Sequence, residues 1–122
     1  MSTRSRIGIE NGDGTVTSVY CHFDGYFSGV GTELRENYKD SEKVEALIAL
    51  GDLSILGSTI ENTTAYCRDR NEELEQREDI SVSAYFDSDR QEYGYLFTQE
   101  GEWLGKHFNE KSVVNISTYI NK

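Results

Sequence analysis

A chain of 122 residues with 36% apolar side chains suits one domain, 1–122, whose core draws partly on 8 Tyr, 5 Phe and 1 Trp. The net charge of −10, from 22 acidic and 12 basic side chains, argues against a generic binder of nucleic acid or anionic membrane, since both need a basic footprint. No apolar run approaches the ~20 residues of a spanning helix, no signal-peptide core follows Met1, and Cys21 and Cys67 are expected as free thiols in a reducing cytoplasm.

Residues 3–10 alternate as a strand, with Ile7 and Ile9 on one face and Arg4, Arg6 and Glu10 on the other. Asn11-Gly12-Asp13-Gly14 is a hairpin turn, because Asn-Gly and Asp-Gly accept positive φ. Residues 15–23 return as a second strand, with Val19, Cys21 and Phe23 on one face and Ser18, Tyr20 and His22 on the other. Residues 24–31 are a glycine-rich loop, and a helix is expected to begin in its second half with Ser28 as N-cap. Val30, Leu34 and Tyr38 form the apolar stripe of that helix. Asp40 or Ser41 opens a second helix, with Val44, Leu47, Ile48 and Leu50 on its apolar face and Gly51 at its end.

Residues 52–57 suit one further short turn. A third strand is expected over 63–68, through Ala65, Tyr66 and Cys67, and the charged run 68–79 reads as a solvated loop or exposed helix. Ile80, Val82, Ala84 and Phe86 alternate, which predicts a strand over 80–86. Residues 93–98 and 102–106 form a hairpin turned by Gln99-Glu100-Gly101, and the tail 111–122 reads as a strand or short helix. Together these predict an α+β fold: an antiparallel sheet with two main helices packed on one face.

The chemistry concentrates in two places. His22-Phe23-Asp24-Gly25-Tyr26 closes a strand and leads to a helix N-terminus, where free N–H groups suit a phosphate. It lacks a Walker lysine and the dinucleotide fingerprint, so a plain turn is the simpler alternative. Tyr66-Cys67-Arg68-Asp69-Arg70 sets two guanidinium forks beside an aromatic ring, which suits phosphate and base recognition. A surface ion-pair cluster with Glu72, Glu73 and Glu75 is its alternative. Arg4 can join the same site or stand as a solvated edge charge. Cys21, His22, Cys67 and His107 lack metal-ligand spacing, and His22 points away from Cys21, against a thiol–imidazole pair. Trp103 with Tyr93, Tyr95 and Phe97 reads as core, or as a stacking wall for adenine.

Thr3-Arg4-Ser5, Tyr20-Cys21-His22-Phe23-Asp24-Gly25-Tyr26 with Gly29-Val30-Gly31, the stretch Leu47 to Ser54 and Ala65-Tyr66-Cys67-Arg68-Asp69-Arg70 occur together in this order. In this the chain resembles, over residues 3–73, a family of small proteins encoded by phages, prophages and plasmids. The last third matches it loosely, through an aromatic hairpin ending in Glu102-Trp103. Two positions depart from the family pattern: Phe27 stands where proline is usual, and Asn71 where glycine is usual.

Small phage proteins of this type include anti-defence sponges. They sequester nucleotide second messengers of host immunity, such as the cyclic ADP-ribose signals of Thoeris systems or cyclic oligonucleotides. The resemblance implies a homo-oligomer in the host cytoplasm that binds such a signal without catalysis and without a cofactor. In that reading Arg4, Arg68 and Arg70 grip phosphates, Tyr26 or Tyr66 stacks a base, and His22 and Asp24 hold ribose hydroxyls. Such an analogy of size and chemistry leaves two rivals open. One is an acidic inhibitor of a host protein, carried by Glu72, Glu73, Glu75, Glu78 and Asp79. The other is an enzyme that degrades a nucleotide signal, with His22 as base and Asp24 as its partner.

Overall fold

The computed structural model describes residues 3–87, 92–107 and 113–116. Strands β1 (Ser5–Glu10) and β2 (Val16–Cys21) form the expected antiparallel hairpin, with Ser5 opposite Cys21 and Glu10 opposite Val16. A helical segment follows, one π turn over Phe27–Gly31 running directly into α1 (Thr32–Asn37), and then α2 (Ser41–Ala49). Next come β3 (Leu53–Ile55), β4 (Thr64–Ala65), α3 (Tyr66–Arg70) and β5 (Arg77–Asp79). Helix α4 (Val82–Asp87), the hairpin β6 (Tyr93–Phe97) and β7 (Trp103–His107), and β8 (Val114–Asn115) complete the described chain.

The strands lie in the order β4-β3-β2-β1-β6-β7-β8, and β5 pairs with the other end of the outer edge of β2. The fold is α+β as expected, with a sheet of mixed direction. β1 runs parallel to β6 and β2 parallel to β3, because helices and loops, rather than tight turns, separate these partners in the chain. The two expected helices cover one face. Val30, Leu34, Tyr38, Val44, Leu47 and Ile48 pack there with Ile7, Ile9, Val19, Cys21, Tyr95, Phe97 and Trp103. Burying a side chain of this kind fully stabilises by about 1.5–3 kcal/mol. Trp103 Nε1 donates to the Tyr38 carbonyl at 2.8 Å, and Tyr95, Phe97 and Trp103 of the late hairpin are core, with Tyr93 half-buried beside them.

Capping explains α2. The Asp40 carboxylate accepts the Lys43 N–H at 2.8 Å, and Gly51 follows at φ +79°, where a side chain would be strained. Ser28 does not cap the preceding helix. Tyr26 holds that position with extended backbone and no side-chain bond. The π turn closes because the Gly29 and Gly31 N–H groups donate to the Tyr26 carbonyl and Val30 N–H donates to the Asp24 carbonyl. Only glycine fits at position 29, since a Cβ there would sit 2.3 Å from the Asp24 carbonyl oxygen.

Several expectations from sequence are corrected. Residues 53–55 are a strand instead of a turn, because the Leu53 and Ser54 carbonyls accept the His22 and Phe23 N–H groups. The strand expected over 63–68 ends at Ala65. There the Asp69 carboxylate reaches back to accept the Ala65 N–H at 2.8 Å, and the chain turns into α3. Part of the charged run, Arg77–Asp79, is a strand.

Residues 80–86 do not form a strand. Ser81 Oγ accepts the Ala84 N–H at 3.0 Å and starts α4, whose Val82, Tyr85 and Phe86 pack with Val16, Leu96 and Leu104 on the sheet's second face. Of the tail expected over 111–122, only 113–116 lies within the described residues. No helix among the described residues is long and apolar enough to cross a membrane.

Candidate functional site

The arginine of β1's start and the aromatics of β2 and α3 meet at the end of β2. In the β1–β2 ladder Arg6 faces Tyr20, so alternation places Arg4 on the same side as Tyr20 and His22. Asp52, between α2 and β3, holds α3 against that side. Its carboxylate accepts the Tyr20 N–H at 2.9 Å and its carbonyl accepts the Tyr66 N–H at 3.2 Å. The electrostatics reflect this closeness. Burial raises the Tyr20 phenol above its ordinary pKa, Arg4 opposes the rise, and Tyr66 and Asp52 add to it.

The side chains are then linked in series. The Tyr20 hydroxyl and His22 Nδ1 share a hydrogen bond of 2.5 Å, and the His22 ring meets the Phe23 ring edge-on at 4.5 Å. This fixes the imidazole and leaves Nε2 without a partner among the described residues. The Arg70 guanidinium lies 5.2 Å from the centre of the Tyr66 ring. Arg4 and Arg70 are exposed, and neither guanidinium has a hydrogen-bond partner among the described residues. The result is an open face with two free forks, two half-buried phenol rings, an imidazole and the exposed Phe23 ring.

Of the expected site, Arg4, His22 and Tyr66 therefore lie around Tyr20, and Arg70 lies over the Tyr66 ring. Arg68 is not among them. Its guanidinium donates to the carbonyls of Ile60 at 3.1 Å and Thr63 at 2.5 Å and forks onto the Asp69 carboxylate at 2.9 Å. It ties the 60–63 loop to α3, and four of its five N–H donors are spent within the chain.

Asp24 and Tyr26 line a separate depression of about 180 Å³ with Gly29, Glu33 and Leu56, where the Tyr26 hydroxyl donates to Asp24 Oδ1 at 3.2 Å. That depression does not suit a phosphate. Its Gly29 and Val30 N–H groups already serve the Tyr26 and Asp24 carbonyls, and its charged side chains, Asp24 and Glu33, are acidic. Asp24 is also not the partner of His22, which bonds Tyr20 instead.

Tyr20 and Asp52 join the site without having been singled out as site residues. Alternation already put Tyr20 beside His22. The part played by Asp52 had no sequence signal, because it depends on α3 folding back onto β2.

Cys21 is buried, and desolvation pushes its thiol up to about 12, so it stays protonated and is a poor nucleophile. Among the described residues no three His, Cys, Asp or Glu side chains gather as metal ligands. Compared with protein-family models, with curated proteins and with solved structures, the chain has no match in any of the three.

Proposed function

We propose that this protein binds a nucleotide-derived signalling molecule and holds it without transforming it. One observation carries this reading: Arg4, His22 and Tyr66 lie around Tyr20, with Arg70 over the Tyr66 ring, on a chain whose net charge is −10. A cationic cluster on so acidic a chain concentrates an anion at one place. Guanidinium forks bind phosphoryl oxygens, phenol rings stack a base, and His22 Nε2 hydrogen-bonds a ribose hydroxyl. A second copy laid over this exposed face would close it around the ligand, so the working form is a homo-oligomer. The resemblance to proteins of phages and mobile elements supplies the role. Sequestering a cyclic ADP-ribose or cyclic oligonucleotide signal in the host cytoplasm silences a defence system.

A second reading has one observation in its favour. Glu72, Glu73 and Glu75 form an exposed acidic run suited to a basic protein partner. Asp79 is withdrawn from that run by its ion pair with Arg77 at 3.0 Å. The test separates the readings. The protein is titrated calorimetrically with cyclic nucleotides and ADP-ribose isomers, then heat-denatured, and the supernatant is analysed by mass. Tight binding and release of the unchanged molecule support sequestration. A changed mass makes the protein an enzyme, and silence across the panel favours the protein partner.

A further inference from the structure

The same side of β2 carries a second pair of guanidinium groups. Arg6 stands opposite Tyr20 in the β1–β2 ladder, and Arg77 stands opposite Ser18 in the β2–β5 ladder. Directly opposed residues share a face of the sheet, so both arginines rise around Ser18. Arg6 Nε donates to Ser18 Oγ at 2.8 Å and its Nη2 to the Ser18 carbonyl at 3.4 Å. Arg77 Nε donates to Asp79 Oδ2 at 3.0 Å, and its guanidinium lies 5.8 Å from the centre of the Tyr85 ring.

One donor and one charge lack a direct partner among the described residues. Arg77 Nη2 is buried with no hydrogen-bond partner, and Arg6 has no ion pair among the described residues. Burial, and after it the charge of Arg77, lower the Arg6 pKa, while Tyr85, Asp52 and Asp79 oppose this. Asp79 pairs directly with Arg77, Asp52 and Asp79 act on Arg6 at longer range, and one buried donor is left unmade. An oxyanion between the two guanidinium groups would satisfy that donor and relieve the repulsion.

We propose that Arg6, Arg77 and Ser18 form an oxyanion subsite that takes a phosphoryl group. Because Arg6 faces Tyr20, the subsite adjoins the aromatic face, and one ligand can occupy both. If the phosphoryl group belongs to a nucleotide, the subsite rests on the function proposed above. If it is free phosphate, the subsite stands alone.

The test begins with thermal melts of wild type, Arg77→Gln, Arg6→Gln and Lys39→Gln, an exposed cation outside both sites, in rising sodium phosphate, at ionic strength held constant with sodium chloride. Wild type and Lys39→Gln should show a saturable rise in Tm, about 4 °C at ten times the Kd. Arg77→Gln and Arg6→Gln should lose it; the second variant keeps the test open if the first does not fold. No saturable rise, or an equal rise in both Gln variants, overturns the subsite.

Calorimetry with ADP-ribose and adenosine identifies the source of the phosphoryl group. A nucleotide source requires Arg77→Gln to weaken ADP-ribose binding at least about tenfold while leaving adenosine unchanged. A phosphate rise without ADP-ribose binding supports a free-phosphate subsite and counts against the nucleotide reading. ADP-ribose binding that Arg77→Gln does not alter, with no phosphate rise, overturns the subsite alone.

Discussion

Tyr85 and Ile80 decide between the two ways of folding residues 80–86. In the helix, Tyr85 is buried and its hydroxyl lies 2.6 Å from the Tyr95 carbonyl and 3.1 Å from the Arg6 carbonyl. Its ring sits over Gly8, where a Cβ would come within 3.2 Å of Tyr85 Cζ. Tyr85→Phe keeps the ring and opens no cavity. It removes the donor and leaves a buried carbonyl short of a partner, a loss of about 1–2 kcal/mol. For a domain of this size that lowers Tm by roughly 3–8 °C. Ile80 is 85% exposed, so Ile80→Ser should stay within about 0.5 kcal/mol of wild type. A strand over 80–86 reverses both effects, since alternation would bury Ile80 and turn Tyr85 to solvent. Urea unfolding followed through the single, buried Trp103 measures both variants. A neutral Tyr85→Phe beside a destabilised Ile80→Ser would refute the helix.

Three further outcomes follow from local geometry. Asn71 ends α3 at φ 57°, so Asn71→Ala should cost about 1 kcal/mol by denaturant titration, while Asn71→Gly should be neutral or nearly so. Asp69 has its pKa lowered from 3.8 by its hydrogen bonds with Arg68 and with the Ala65 N–H. A depressed folded pKa gives stability above the unfolded value and loses it as pH falls through the folded one. The Tm gap between wild type and Asp69→Asn should thus be full at pH 7, shrink below pH 3.8 and close in stronger acid; a gap that widens in acid would contradict this. Thiol labelling at pH 8 should modify half-buried Cys67 and spare Cys21 until the protein unfolds, and equal labelling of both would place Cys21 outside the core.

The hairpin β1–β2, the cap of α2 and the hairpin β6–β7 were legible in the sequence because neighbouring residues determine them. Gly14 of Asp-Gly takes φ +89° in the first turn, Asp40 caps its own helix, and Gly101 takes φ +85° in the last turn. Helix α4 was illegible because seven residues satisfy both periods. Val82, Ala84 and Phe86 alternate, yet Val82, Tyr85 and Phe86 make a helical face, and only contact with Val16 and Leu96 selects it. β3 and β4 are too short to carry a pattern and exist through their partners.

Within the site, the residue types around His22 and Tyr66 were legible, and their meeting was not. Nothing local distinguishes Arg68 from Arg70, two residues apart. The fold directs one guanidinium onto the Ile60 and Thr63 carbonyls and the other over the Tyr66 ring. Asn71 and Phe27 also find local roles. Asn71 adopts the left-handed backbone that glycine takes freely, and Phe27 opens the helical segment and packs edge-on against Tyr93 at 5.1 Å.

The most direct test of the proposed function is a calorimetric titration of ADP-ribose into wild type, Arg68→Ala and the double variant Arg4→Ala/Arg70→Ala. The account expects the double variant to lose at least about 100-fold in affinity, two charge-assisted contacts, while Arg68→Ala changes stability and leaves affinity within about threefold of wild type. No heat with any of the three proteins, or equal affinity in the double variant and wild type, would contradict it.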